Sequence, residues 1–331
     1  MSPSTMPSAS PASPPASDPI RYGCDSFGRL TRVMLHRPGD ALSVIDTDNH
    51  RHWLFDGLPD IVRFDAEIQQ YAALLEDLGV QVEWLADHVT HHRELLDGRP
   101  NLAYLHDTAV ISRHGAFLSH MAWDGRRDEH LAVKEALTHM GVPIRHEFTG
   151  PGHAFEGFLL LSPDTLLIAD TERHRADSIA HFVPRSLEFF GTIIHVTIPK
   201  ARRYMHPDTI FNRASADTAL AYLPAFERCE LITRTQRRPI DIIRYMADRG
   251  ITIIDVDNDE QRRLACSFVP IEPGLLVHYD TALNPETLRR LRRRGIEVVP
   301  FHPEALLPGG GSLRCLTLRL HRETPAERPV P

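Results

Sequence analysis

The chain has 331 residues, with 37 Lys plus Arg against 44 Asp plus Glu, a formal charge of −7, and 42% hydrophobic and 24% charged residues. That length suits one large domain or two ordinary ones and is ample for a buried core. The mildly acidic balance offers no electrostatic footprint for a nucleic-acid backbone, and no run of about 18 apolar residues occurs that could span a membrane.

In chain order, residues 1–18 (MSPSTMPSASPASPPASD) are rich in Pro, Ser and Ala, with no basic start and no apolar stretch. They predict a disordered tail rather than a signal peptide, so a soluble cytoplasmic protein is expected. Residues 19–323 are expected to form one domain and 324–331 a flexible C-terminal tail. Cys24, Cys229, Cys266 and Cys315 lie far apart with no CxxC pair, which predicts free thiols and neither a disulfide framework nor a zinc site.

From residue 30 onward a rhythm appears. Five helix-like segments end at a Gly that runs into a short β-branched strand: LEDLGVQVEWL at Gly79, LTHMGVPIRHEF at Gly141, LEFFGTIIHVTI at Gly191, MADRGITIIDV at Gly250 and LRRRGIEVVPF at Gly295. Gly suits the residue after a helix because it takes left-handed dihedrals without a Cβ penalty. Apolar strand candidates precede the helices: RVMLHRP, TAVISRHGAFLS, GFLLLSPDTLLIAD, SFVPIEPGLLVHYD and, more weakly in the fourth unit, ELITRT. The marker glycines are 45 (Gly250 to Gly295) to 62 (Gly79 to Gly141) residues apart. An ordinary doubly wound α/β domain also contains helix–Gly–strand joints. The hairpin-like strand pairs favour five ββαβ units closing into a ring around one central channel.

Five segments concentrate ionisable groups beside turn formers: PNLAYLHDT, AFEGF, DTERHR, MHPDTIFNR and GGGSLRCLTL. Cys315 follows Gly309, Gly310 and Gly311, whose backbone can approach a ligand closely, and the adjacent Arg314 should favour thiolate. His206 and Asp208 form an H-x-D pair expected at a strand end, where alternation would turn both side chains the same way. Glu156 opens an apolar strand, where a carboxylate is costly to bury unless paired. Asp107 follows Asn101, Tyr104 and His106. Carboxylates, a His and a reactive Cys in one channel suit a planar cation, clamped by the acids and attacked at carbon by sulfur.

These segments resemble the guanidino-modifying enzymes of the pentein superfamily, the arginine deiminases, amidinotransferases and dimethylarginine hydrolases, from about Asp25 to Arg322. PNLAYLHD is similar to the deiminase Pro-Asn-x-x-Phe-x-Arg-Asp motif, MHPDTIF to His-x-Asp-Thr-x-Phe, and GGGSLRC to the terminal Gly-rich Cys motif. DSFGRLTRVMLHRPGDAL resembles the family's opening strand and loop. The resemblance implies an α/β, five-bladed ββαβ propeller without the helical insertion of many bacterial arginine deiminases. It implies Cys315 as nucleophile, His206 as acid/base, Glu156 as an orienting carboxylate, and Asp107 with Asp208 on the guanidinium. Asn101 would bind substrate, and Arg126 and Arg173 would hold an amino-acid carboxylate. The expected activity is Cys-dependent hydrolysis of a guanidino C–N bond in arginine or an arginine-derived compound, through a covalent thiouronium. An amidinotransferase and a non-catalytic binding protein on the same fold are the alternatives. The partner implied is a small-molecule guanidino substrate, with no metal or organic cofactor, no nucleic acid and no membrane; a homo-oligomer is left open. Two departures stand out. Phe-Glu-Gly-Gly-Asp reads Phe155-Glu156-Gly157-Phe158-Leu159, so Leu159 stands where deiminases carry an Asp for the α-amino group, and His106 replaces an Arg.

Overall fold

The computed structural model describes residues 21–24, 27–148, 156–174 and 177–324. The N-terminal tail, nearly all of the C-terminal one, Asp25, Ser26, Phe155 and Arg175 lie outside the described residues.

Helix–Gly–strand joints stand at all five expected places. The first unit contains β1 (Leu30–Leu35), α1 (Ile61–Asp77) and β2 (Gln81–Trp84), followed by the short α2 (Arg93–Gly98). The second contains β3 (Ala109–Ser112), β4 (Gly115–Ser119), α3 (Glu129–His139) and β5 (Ile144–Phe148). The third contains β6 (Leu159–Ser162), β7 (Thr165–Asp170), α4 (Ser178–Ser186) and β8 (Thr192–Thr197). The fourth contains β9 (Phe211–Arg213), β10 (Thr218–Ala221), an excursion through β11 (Arg228–Ile232) and β12 (Arg237–Pro239), then α5 (Ile242–Ala247), β13 (Thr252–Asp255) and α6 (Asn258–Arg262). The fifth contains β14 (Val269–Glu272), β15 (Leu275–Tyr279), α7 (Pro285–Arg293) and β16 (Glu297–Phe301), and the chain ends in α8 (Leu313–Leu316) and β17 (Leu318–Arg322).

One pairing rule repeats in five separate sheets. An antiparallel pair comes first, and the strand after the helix adds in parallel to its second member: β3–β4–β5, β6–β7–β8, β9–β10–β13 and β14–β15–β16. In the first unit the antiparallel partner comes from the other end of the chain, because β17 pairs with β1 while β2 lies parallel to it. No continuous doubly wound sheet runs through the described residues. ELITRT is corrected: its Glu230, Leu231 and Ile232 end β11, which pairs antiparallel with β8 and widens the third sheet. The fourth unit's own pair is β9 and β10, whose short, Ala-rich sequence carries little strand propensity.

Four of the marker glycines have the positive φ expected after a helix: Gly79 (78°), Gly141 (77°), Gly250 (71°) and Gly295 (70°). Gly191 is required for another reason. A Cβ there would lie 2.3 Å from Asp164 Oδ2, the carboxylate whose Oδ1 accepts the Gly191 N–H at 2.8 Å.

Helix α1 places the segment that leads to Cys315. Phe64, Ile68, Tyr71, Ala72 and Leu75 form its buried stripe, and Asp60 caps it by accepting the Arg63 N–H at 3.0 Å. Glu67 lies in the same stripe. Its carboxylate accepts the backbone N–H groups of Glu304 (3.1 Å), Ala305 (2.7 Å) and Leu306 (3.1 Å), just before the glycine triplet. Glu67→Leu would leave buried donors unpaired. It should lower unfolding free energy by about 3 kcal/mol, read from the urea midpoint, with Glu67→Gln losing less.

Candidate active site

The side chains singled out in the sequence enter from equivalent places in the repeat. Asp107 stands two residues before β3, Glu156 three before β6, Asp208 three before β9 and Cys315 three before β17. Short 3-10 turns, Pro100–Ala103, Leu105–Thr108 and Pro207–Thr209, hold Asn101, Asp107 and Asp208 there. The H-x-D segment is therefore a turn, with His206 at its N-cap, and not the alternating strand end expected.

Asn101, Asp107, Arg126, Arg173, His206 and Cys315 line one narrow cavity together with Tyr104, Arg202 and the glycine triplet. His206 is its electrostatic centre. Its Nε2 lies 3.0 Å from Glu156 Oε2 and its Nδ1 3.4 Å from Asp107 Oδ1. Burial opposes the imidazolium, but Asp107, then the hydrogen bond and charge of Glu156, outweigh it and raise the His206 pKa above its ordinary value. Glu156 is fully buried, which on its own would raise its pKa; Arg173, 3.5 Å away, and His206 instead hold it well below the usual carboxylate range. Its other oxygen accepts the Ala122 N–H at 2.5 Å. Gly157, at φ 68°, permits this approach, since a Cβ there would lie 3.0 Å from His206 Cβ.

Arg126 is not free beside Arg173. It is buried and engages Asp107 Oδ2 at 2.7 Å and Glu129 Oε2 at 2.8 Å, with the Asn101 and Tyr104 carbonyls at 3.3 and 3.4 Å. Asp208 is also buried and is not among the residues lining this cavity: Oδ2 lies 3.2 Å from Arg314 Nε and 3.8 Å from His106 Nε2, while its charge still reaches Cys315. Cys315 is part-buried near the start of α8, its Sγ 3.3 Å from Ser312 Oγ. The expectation that Arg314 favours thiolate is corrected. Successive helical residues diverge by about 100°, so Arg314 turns to Asp208. Burial, then Asp208 and Asp107, push the Cys315 thiol up to about 12, against the lowering effect of Ser312. Leu159 does not face this cavity; it lines a second one with Arg314.

The sequence profile described as arginine deiminase matches residues 74–322. The chain belongs to the arginine deiminase family. It is 25% identical to the arginine deiminase of Rhodococcus erythropolis over 407 aligned positions, covering 92% of this chain and 98% of that one. Among solved structures, AgrE in complex with ornithine and NAD+ superposes with a TM-score of 0.68 at 19% identity, over 89% of this chain and 40% of AgrE. The chain thus spans less than half of AgrE. The N-terminal domain of ArgZ, covalently bound to a reaction intermediate, gives 0.67 at 18% identity, over 87% of this chain and 97% of that domain. Mixed α/β architecture of the pentein type is common to these proteins.

Three features of this deiminase-family chain escaped the sequence reading. Glu129 holds Arg126, a partner signalled only by its i+3 spacing. Arg202 reaches the cavity rim, donating to the Leu54 carbonyl at 2.5 Å. Tyr104 packs beneath the loop that precedes Cys315, where a Cβ on Gly309 would lie 1.8 Å from its hydroxyl and one on Gly311 2.2 Å from its ring. Gly309→Ala should therefore lower turnover about 100-fold, and Tyr104→Phe in the same chain should restore at least tenfold of it. Steady-state rates of the two variants and their combination check this; no rescue would mean the glycine is needed for another reason.

Proposed function

We propose that this protein hydrolyses a guanidino C–N bond of arginine or an arginine-derived compound, using Cys315 as nucleophile. The observation that carries this reading is His206, both of whose ring nitrogens face carboxylates in the cavity that Cys315 also lines. Two facing carboxylates hold the imidazolium, which makes it an acid.

The chemistry follows from the charges. A guanidinium entering beside Asp107 supplies the positive charge that the thiol lacks at rest. It offsets the carboxylates that keep Cys315 protonated, so the thiol releases its proton to solvent as the substrate binds, and the thiolate Sγ then attacks the guanidinium carbon. His206 gives its proton to the departing amine, leaving a thiouronium on Cys315. Neutral His206 next takes one proton from water, the hydroxide oxygen adds to the same carbon, and the C–S bond breaks to leave a thiolate, which takes the remaining proton from the new oxygen as the ureido product forms. Asp208 would be the second clamp carboxylate once Arg314 releases it, and Glu156 positions His206. With Arg126 held by Asp107 and Glu129, Arg173 and Arg202 are the cations left for a substrate carboxylate.

The five sheets fit blades of one ββαβ propeller over residues 19–323, closed by β17 on β1. The 407 aligned positions exceed the 331 residues of this chain, as expected if the Rhodococcus relative carries inserted segments absent here. Incubation with arginine and candidate amines, followed by mass spectrometry, tests the function. Citrulline and ammonia support a single hydrolysis, ornithine with two ammonia equivalents a double one. An amidino group moved to the amine would establish the transferase instead.

A pH dependence also follows. With the free thiol at about 12, alkylation of the resting enzyme by neutral iodoacetamide should accelerate with pH throughout pH 7 to 10 and show no plateau there. Cationic 2-chloroacetamidine should label Cys315 already at pH 7, and excess arginine should protect. Equal pH profiles for the two reagents would show that substrate charge does not activate the thiol.

A further inference from the structure

Arg213, Arg314, Arg319 and Arg322 converge on a second cavity of about 20 Å³, walled on one side by Leu159. Guanidinium groups stay charged at neutral pH even when burial presses on them. Here burial lowers Arg314 to about 9 and Arg213 and Arg322 to about 10, and Arg319 adds to the effect on Arg314 and Arg322. Each therefore remains cationic at pH 7. Among the described residues, the carboxylate that forms an ion pair with any of the four is Asp208, 3.2 Å from Arg314 Nε.

The four arginines differ in how their N–H groups are used. Arg322 donates to the carbonyls of Gly28 (2.9 Å) and Pro270, and Arg213 to those of Ser215 (3.2 Å), Leu161 (3.2 Å) and Ala216. Carbonyls satisfy hydrogen bonds but carry no net charge. Arg314 is 1% exposed, yet among the described residues its Nη1 has no acceptor, and neither has the buried Nε of Arg319. Buried donors and buried charges are rarely left so, because each costs several kilocalories per mole unless something compensates. Leu159 offers nothing of the kind.

We propose that this cavity is a binding site for one small inorganic anion of halide or nitrate size, held by Arg314 and Arg319. The volume sets the size. About 10–15 Å³ of such space holds one water-sized particle, so a tetrahedral oxyanion does not fit. An anion would complete the unused donors and offset the charge excess, with Arg213 and Arg322 adding field.

The experiment uses the full chain. Thermal unfolding is followed in sodium bromide, chloride or nitrate against sodium gluconate at equal ionic strength, and crystals grown in bromide are examined for anomalous scattering. The expected result is a saturable rise of the midpoint by at least about 2 °C in the small anions at tenfold excess over Kd. A bromide peak should lie within hydrogen-bonding distance of Arg314 and Arg319. Arg319→Met should abolish both. Equal midpoints with no bromide peak in the cavity would overturn the proposal, as would a midpoint shift that Arg319→Met leaves intact, which would place the anions on the surface. Should Arg319→Met fail to fold, the bromide peak in the parent protein decides alone.

Discussion

Replacing Cys315 by Ala is expected to reduce turnover of arginine by at least about 10⁴-fold while the protein remains folded. The side chain is small and part-buried, so the lost volume costs little stability. Hydrogen bonds around Glu156 and His206 do not pass through sulfur, so the cavity should survive, and arginine should still bind. Mass spectrometry completes the test: 2-chloroacetamidine should add one amidine group to the parent chain and none to the variant. The other cysteines are internal controls. Cys24, Cys229 and Cys266 are all buried and none lines this cavity, so their Ala variants should keep turnover within a few-fold. Undiminished turnover in Cys315→Ala would remove covalent catalysis and leave the convergence of acids around His206 without its proposed purpose.

Much of this architecture is legible in local signals. A Gly closing a helix and a β-branched run after it are short-range events, and they mark all five joints. The candidate site residues were legible because they occupy equivalent loop positions of the repeat: Asp107, Glu156, Asp208 and Cys315 all stand two or three residues before the first strand of a sheet. The fifth such position is Ser267, whose hydroxyl donates to the Asp208 carbonyl at 3.0 Å. What the sequence hid depends on long-range pairing and direction. ELITRT reads as a strand by its Leu-Ile pair beside Thr, and nothing local says that its edge belongs to β8 in another unit. Arg314 is next to Cys315 in sequence, but its guanidinium serves Asp208 and a different cavity. The chemistry of a thiol is set by the charges its sulfur faces, and here those are carboxylates. Arg126 has the family's residue type at the expected place, yet Glu129 and Asp107 already occupy it.

His206→Asn is expected to lower kcat about 10³-fold, within the usual range for losing a positioned proton donor. The amide can still give one N–H to Glu156 or Asp107, and Arg173 remains beside Glu156, so the change removes proton transfer more than structure. The pH profile separates the two. Because the His206 pKa is raised, its acid form persists above pH 6.5 and is lost as pH climbs through the raised value. Parent kcat should fall on that alkaline side, and the variant's residual rate should not. Labelling of Cys315 by 2-chloroacetamidine should persist in the variant, since attack on carbon precedes the protonation that His206 supplies. A variant that lost labelling together with turnover would show His206 acting through the thiol itself. One that kept turnover within tenfold and the same alkaline limb would require a different proton donor, with Glu156 and Asp107 then serving only to hold a buried charge.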